Sequence, residues 1–406
     1  MCRAAIDHVP IAVLPAQDSI GRAPVVPAQC WSVKLPLLRK LALSAAVWML
    51  YVPHLAILKL LGPRFGALWA RGLARLHWLL TFLGAQRSVR NILRAVHPQL
   101  QTDLSLSSIV RKHLELKHEC FARFKLFNRP AEGSSGELTW ELDSNMRAKF
   151  ERAKSSGKGL IIVGYHFGFF RLSASAMPHT FPSSSVVFVK HRFAHYMGHT
   201  VAAIADMALQ KAFLADKRTG ARIHYVDPGS SLVRIYRMLL AGETIALAAD
   251  GAFARDFVDV PFLGGKLRMP CGWARVAAAT GANVLILLDT KVDHRRRRIW
   301  IFDHVQVTDK STEAIYRAVA ESARILETFV RREPWAWHPW QRLRCDLADD
   351  GSRVLVIKEL GTGAGDDRGP APIDCNRPIK TGHEEWPQPL PENSAAMPNW
   401  VNKESQ

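Results

Sequence analysis

The chain lacks paired cysteines: its six, Cys2, Cys30, Cys120, Cys271, Cys345 and Cys375, are scattered and form no CxxC pair. Such spacing argues against a disulfide framework and against a zinc module, and it suits a reducing compartment. Acidic residues are scarce at the front. Residues 1–110 hold three, Asp7, Asp18 and Asp103, against twelve Lys/Arg, so half of the net charge of +18 falls in the first quarter. The opening residues do not follow the signal-peptide order of basic start, apolar run and small-residue cleavage site, so 1–34 are expected to form a loose leader. The pI of about 9.9 comes with no nucleic-acid reader motif and no internal repeat. Basic charge set among apolar residues points to an anionic membrane surface as partner, and no nucleic acid is expected.

What is present is globular in texture, 48% hydrophobic and 22% charged. The run LALSAAVWMLYVPHLAIL (41–58) carries no formal charge between Arg39/Lys40 and Lys59. Its length is the lower limit for a membrane span and fits an interfacial helix equally well, with Pro53 favouring the interfacial pose. A buried core helix is the alternative. Amphipathic helix is expected over 63–97 and again over 106–128, with a turn-rich break at 133–136. Residues 35–137 therefore form an N-terminal, membrane-associated helical region.

From 138 to 347 the pattern changes. Apolar, β-branched runs at 160–163, 186–189, 244–249, 284–288 and 299–302 alternate with helical stretches, one capped by Ser230 or Ser231 and ended by Gly242, another ended by Gly281. The expected fold class is α/β, with a mixed, largely parallel sheet flanked by helices. Residues 348–406 carry seven prolines and no periodicity and are expected to be disordered. GTGAG (361–365) in that tail reads as linker rather than phosphate loop.

Two segments carry chemistry. In GKGLIIVGYHFGFFRLSAS (157–175) a buried strand ends at Gly164, and His166 follows where a helix is expected to begin. The carboxyl end of a strand is where α/β folds collect their sites, and a helix N-terminus disfavours imidazolium, leaving His166 able to accept a proton. A satisfied core histidine is the rival reading. In the second segment (239–288) a strand runs into Asp250, and a loop with Arg255, Lys266 and Arg268 follows, three cations suited to phosphate groups. The tandem Gly264–Gly265 permits close backbone approach.

The order of these pieces resembles the bacterial lipid A biosynthesis (lauroyl/myristoyl) acyltransferase family, within the wider glycerolipid-acyltransferase fold. NILRAVHPQ (91–99) is similar to its N-L-x-x-x-F-P-E segment. Residues 157–171 match its G-K-G…H-x-G-x-x-E segment, and Gly242–Asp250 its G-E…D strand. VPFLGG (260–265) matches its V-P-F-F-G loop, 274–284 its helix plus T-G-A-x-V, and REPWAWHPWQRLR (332–344) its closing tryptophan-rich segment. The resemblance spans roughly 35–344. It implies acyl transfer from a thioester of acyl carrier protein or coenzyme A to a hydroxyl of a membrane lipid or glycolipid, at the cytoplasmic face of the inner membrane. His166 is the implied base, backbone N–H groups or a basic side chain near 164–168 the implied oxyanion hole, and neither a cofactor nor a metal is called for.

One position departs from the family. Its H-x4-[DE] acid is Arg171 here, and a cation beside imidazole opposes the charge that catalysis must create. Three readings follow. Asp250 serves His166 in place of the missing acid; or His166 works unaided while Arg171 grips an anionic group of the substrate; or the site is degenerate and the chain is a lipid- or acyl-binding protein.

Weaker signals complete the sequence. His191, His195 and His199 share a face if helical, yet no carboxylate or cysteine accompanies them, so a surface is expected rather than a metal site. Arg295–Arg298 is expected to be a solvated hairpin tip, with a lipid-phosphate contact as the alternative. Trp335, Trp337, Trp340 and His338 suit either packing or a membrane interface.

Overall fold

The computed structural model describes Leu60, Phe65, 68–75, 87–126, 139–142, 144–170, 184–189, 222–226, 232–251, 254, 256–293, 296–303, 307, 309–348 and 350–357. The leader, the charge-free run 41–58, Arg171, Arg255, the triple-histidine face and GTGAG lie outside these residues. Among them, no helix is long and apolar enough to cross a membrane.

Seven strands build the main sheet: β1 (Thr139–Leu142), β2 (Leu160–Gly164), β3 (Ser184–Val189), β4 (Arg222–Val226), β5 (Thr244–Ala248), β8 (Asn283–Lys291) and β9 (Arg296–Asp303). Their order is β1-β9-β8-β2-β5-β3-β4. Every pairing is parallel except β8 with β9, so the expected mixed, largely parallel sheet is present. Leu160, Ile161, Ile162 and Val163 of the central β2 are all buried. Successive side chains of a strand point to opposite faces, so β2 is covered on both. A continuous apolar run is what such a strand requires.

The described α-helices include α1 (Arg87–Val96), α2 (Leu106–Leu126), α3 (Ser144–Ser155), α4 (Leu232–Leu240), α5 (Gly272–Thr280) and α6 (Thr312–Arg332). Their ends follow capping chemistry. The α5 helix stops at Gly281, left-handed with φ 67°, whose N–H donates to Ala277 O at 2.8 Å. The α6 helix starts where Ser311 Oγ accepts the Ala314 N–H at 3.1 Å, with Glu313 in its first turn and Arg331 and Arg332 in its last.

A second sheet, in the order β10-β11-β7-β6, is built from β6 (Phe257–Phe262), β7 (Gly265–Pro270), β10 (Leu343–Leu347) and β11 (Arg353–Ile357). The segment expected as a VPFLGG loop is thus the tip of a hairpin, turned by Leu263 and Gly264 at φ 48° and 69°. A left-handed leucine is strained and needs an anchor. Its N–H donates to Glu327 Oε1 at 3.0 Å, and Arg331 bonds the same oxygen at 2.6 Å while reaching Gln99 O at 2.8 Å. Helix α6 therefore ties the hairpin tip to the segment that follows α1.

Two expectations change. Residues 353–357, expected to be disordered, form β11, pairing antiparallel with β10 and parallel with β7. Val354, Leu355 and Ile357 are buried there. Nor are 296–298 a solvated tip: they lie in β9, where Arg297 is 1% exposed and its guanidinium lies 3.3 Å above the Phe169 ring. Strand alternation explains this. Arg296 and Arg298 point outward to Glu141, and Arg297 between them points in. Truncation after residue 348 should consequently lower the melting temperature by several degrees, since it strips a strand from β7 and β10. Truncation after 358 keeps β11 and should cost far less, and calorimetry on the two truncated proteins separates the cases.

Candidate active site

Strands β2 and β5 are paired in parallel with Gly164 opposite Ala248. His166 and Asp250 each lie two residues beyond these partners, so the register sets them side by side at the carboxyl edge of the sheet. Asp250 Oδ1 accepts the His166 Nδ1–H at 2.6 Å, and both carboxylate oxygens accept the His166 backbone N–H at 3.0 Å. Asp250 is fully buried, whereas the His166 side chain keeps 22% exposure. With its Nδ1–H engaged in this hydrogen bond, the ring is left with a bare Nε2. Burial pushes the Asp250 carboxyl up, but the adjacent imidazole and the hydrogen bonds from His166 and Trp337 outweigh it and hold the carboxyl below its usual range. The pair is a base with an ionised orienting partner.

A segment from the far end of the domain clamps this turn. Phe167 and Trp337 form an antiparallel bridge, with the Gly168 N–H donating to Ala336 O at 2.9 Å and the His338 N–H to His166 O at 2.8 Å. The Trp337 indole Nε1–H donates to Asp250 Oδ2 at 3.1 Å. His338 Nε2 donates to Gly168 O at 2.7 Å. Burial, then the neighbouring His113, lowers the His338 imidazole well below its usual value, so this ring stays neutral. Phe170 stands edge-on to His166 at 4.5 Å and to His338 at 5.1 Å, making an aromatic wall beside the base.

From the other side β8 supports the turn. Asp289 Oδ2 accepts the Phe169 N–H at 2.9 Å, and Gly168 takes φ 59° against Asp289. Arg297 is stacked on Phe169, and both it and Asp289 act on the carboxyl of Glu333. Burial and then Asp289 push the Glu333 carboxyl up to about 7, against the opposing pull of Arg297, Lys112 and Lys291. A raised carboxyl binds its proton more tightly folded than unfolded. Stability should therefore fall as pH rises from about 4.5 through 7. Glu333→Gln should match the parent at pH 4 and gain on it across that window, by up to about 3 kcal/mol above pH 7. Denaturant midpoints measured from pH 4 to 8 test the sign.

Of the residues singled out from sequence, His166 and Asp250 are brought together. Lys266 and Arg268 are not. They project from the outward face of β7, opposite buried Leu267 and Met269, and each meets an acid: Asp350 for Lys266, and Asp259 for Arg268 at 2.8 and 2.9 Å. Arg171 and Arg255 lie outside the described residues. Of the backbone N–H groups expected near 164–168 as oxyanion donors, those of His166 and Gly168 bond Asp250 and Ala336, and the adjacent Phe169 N–H bonds Asp289. Nor does His166 sit in a helix's first turn; it occupies the turn that precedes the first helical residue, Phe170. Sequence reasoning missed Asp289, Arg297 and the part played by Trp337. Among the described residues, no group of three or more His, Cys, Asp or Glu is placed to hold a metal.

Comparison with known proteins agrees with this geometry. No curated protein matches the chain significantly. The family model described as bacterial lipid A biosynthesis acyltransferase, however, matches residues 37–343, from ahead of α1 to the start of β10. The match takes in the β2 turn with His166, the β5 end with Asp250 and the tryptophan-rich clamp, and the chain belongs to the bacterial lipid A biosynthesis acyltransferase family.

Proposed function

We propose that this acyltransferase moves a fatty acyl chain from an acyl thioester, of acyl carrier protein or coenzyme A, to a hydroxyl of a lipid or glycolipid acceptor. One observation carries the assignment of roles: the 2.6 Å bond from His166 Nδ1 to a buried, ionised Asp250. It fixes the tautomer and aims a basic Nε2 outward, which is what general-base attack by a hydroxyl requires. The acceptor's proton passes to Nε2 as its oxygen bonds the thioester carbon. The tetrahedral oxyanion then collapses, the carbon–sulfur bond breaks, and the departing thiolate takes the proton back from the imidazolium. Asp250 stays ionised throughout. The N–H groups of His166, Gly168 and Phe169 are already bonded, so we assign the oxyanion, or an anionic group of the acceptor, to a cation, and Arg171 is our choice. The mechanism calls on no metal.

The setting we propose is the cytoplasmic face of the inner membrane. The basic, apolar first quarter supports it, as do Leu60, Phe65 and Leu68, which are exposed at 83, 62 and 56% beside Arg71 and Arg75. The test is transfer of a radiolabelled acyl group from each carrier to membrane lipid, by the parent and by His166→Ala. Loss of labelled lipid in the variant supports the reading. Equal labelling by both would remove the enzyme and leave a lipid-binding protein in its place.

A further inference from the structure

The mechanism above uses one oxygen of Asp250 and leaves the other to be explained. Oδ1 takes the His166 ring proton at 2.6 Å. Oδ2 takes the Trp337 indole proton at 3.1 Å and shares the His166 backbone N–H at 3.0 Å. Trp337 is fully buried, packed edge-on against Trp340 at 4.9 Å and tilted against Phe262 at 5.3 Å. Its backbone is fixed by the bridge to Phe167. The indole therefore has no freedom to follow a wandering carboxylate; the carboxylate must come to it. The His166 backbone N–H bridges both oxygens from the turn that the carboxylate must orient, so the indole is the donor to Oδ2 that comes from outside that turn and fixes the carboxylate plane independently of it.

We infer that Trp337 is a positioning residue for catalysis: its indole N–H fixes the plane of Asp250 and, through it, the ring of His166. This inference rests on the acyltransferase reading, and it assigns a role in the chemistry to a tryptophan-rich segment that would otherwise read as packing. Among the described residues, Tyr165 and His338 are titratable groups that face the pair. Burial pushes the Tyr165 hydroxyl up and the His338 imidazole down, so both are neutral across the working range.

The test replaces Trp337 by benzothienylalanine, which keeps the shape of the indole and puts sulfur where the N–H was, with Trp337→Phe as the cruder companion. The expected result for the sulfur isostere is a kcat lowered roughly tenfold to a hundredfold, as for other lost orienting partners, with KM and melting temperature near the parent's. The acid limb of kcat/KM should move to higher pH, because a carboxylate short of one donor attracts the imidazolium proton more strongly. A second readout needs no turnover: the pH dependence of His166 carbethoxylation, followed by mass spectrometry, should shift the same way. An isostere that turns over like the parent, or an unmoved carbethoxylation midpoint, overturns the inference, and Trp337 is then packing alone. A parent without acyl transfer but with the midpoint shift would retain the positioning role and reject the acyltransferase mechanism.

Discussion

Asp250→Asn should lower kcat by about three to four orders of magnitude while leaving the fold intact. The estimate follows from the comparable aspartate of a serine-protease triad, where the amide holds the imidazole in the wrong tautomer. Here the consequence is direct. The Asn side chain offers one carbonyl oxygen and one NH₂, and three donors now converge on two carboxylate oxygens. If the carbonyl serves Trp337, the NH₂ faces His166 Nδ1 and turns the ring's proton to Nε2, where it blocks the base. His166→Ala should cost at least as much, and the double variant should cost little more than the worse single one, because a dyad acts as a unit. Additive losses in single-turnover transfer would mean that the two residues act separately.

Gly168→Ala should do nearly as much damage with one methyl group. A Cβ built at residue 168 would lie 2.5 Å from Asp289 O and 2.7 Å from its Oδ2. The left-handed φ of 59° adds strain that alanine does not relieve. Backbone strain and overpacking together cost about 2–5 kcal/mol. Either Asp289 releases the Phe169 N–H, or the turn slides and takes His166 off Asp250. Activity should fall at least a hundredfold, since small misplacements of a base carry such penalties. Gly157→Ala, at a glycine with similar φ but open space around it, is the control. Equal effects of the two would mean that conformation rather than crowding sets the cost.

The sheet was legible where burial was complete. Strands β2, β5 and β8 present continuous apolar runs, and such runs announce themselves. The outermost strands did not, because β1 (TWEL) and β4 (RIHYV) sit at the two edges of the main sheet and carry polar residues. The β6–β7 hairpin was hidden by Pro261 and paired glycines, and β11 by the polar turn Asp350–Gly351–Ser352 that precedes it. Four successive arginines read as solvent-facing, yet strand alternation buries one of them against Phe169. The dyad itself could be anticipated, because both residues end strong strand signals. Trp337 could not, since an indole that donates to a carboxylate looks in sequence like any indole in a core.

The parallel register between Gly164 and Ala248 also bears on how activity is acquired. The two dyad residues are 84 positions apart, and neither local helix nor hairpin brings them together. Only pairing across that span does, and contacts of large sequence separation are the slow ones in folding. Turnover during refolding is therefore a clock for β2–β5 pairing: it should lag helix formation and appear in step with burial of the central strand. Loops between the two strands can lengthen or shorten without moving the chemistry, because the dyad is indexed to the ladder. A single residue inserted between Gly164 and His166 would put the base out of phase with its partner.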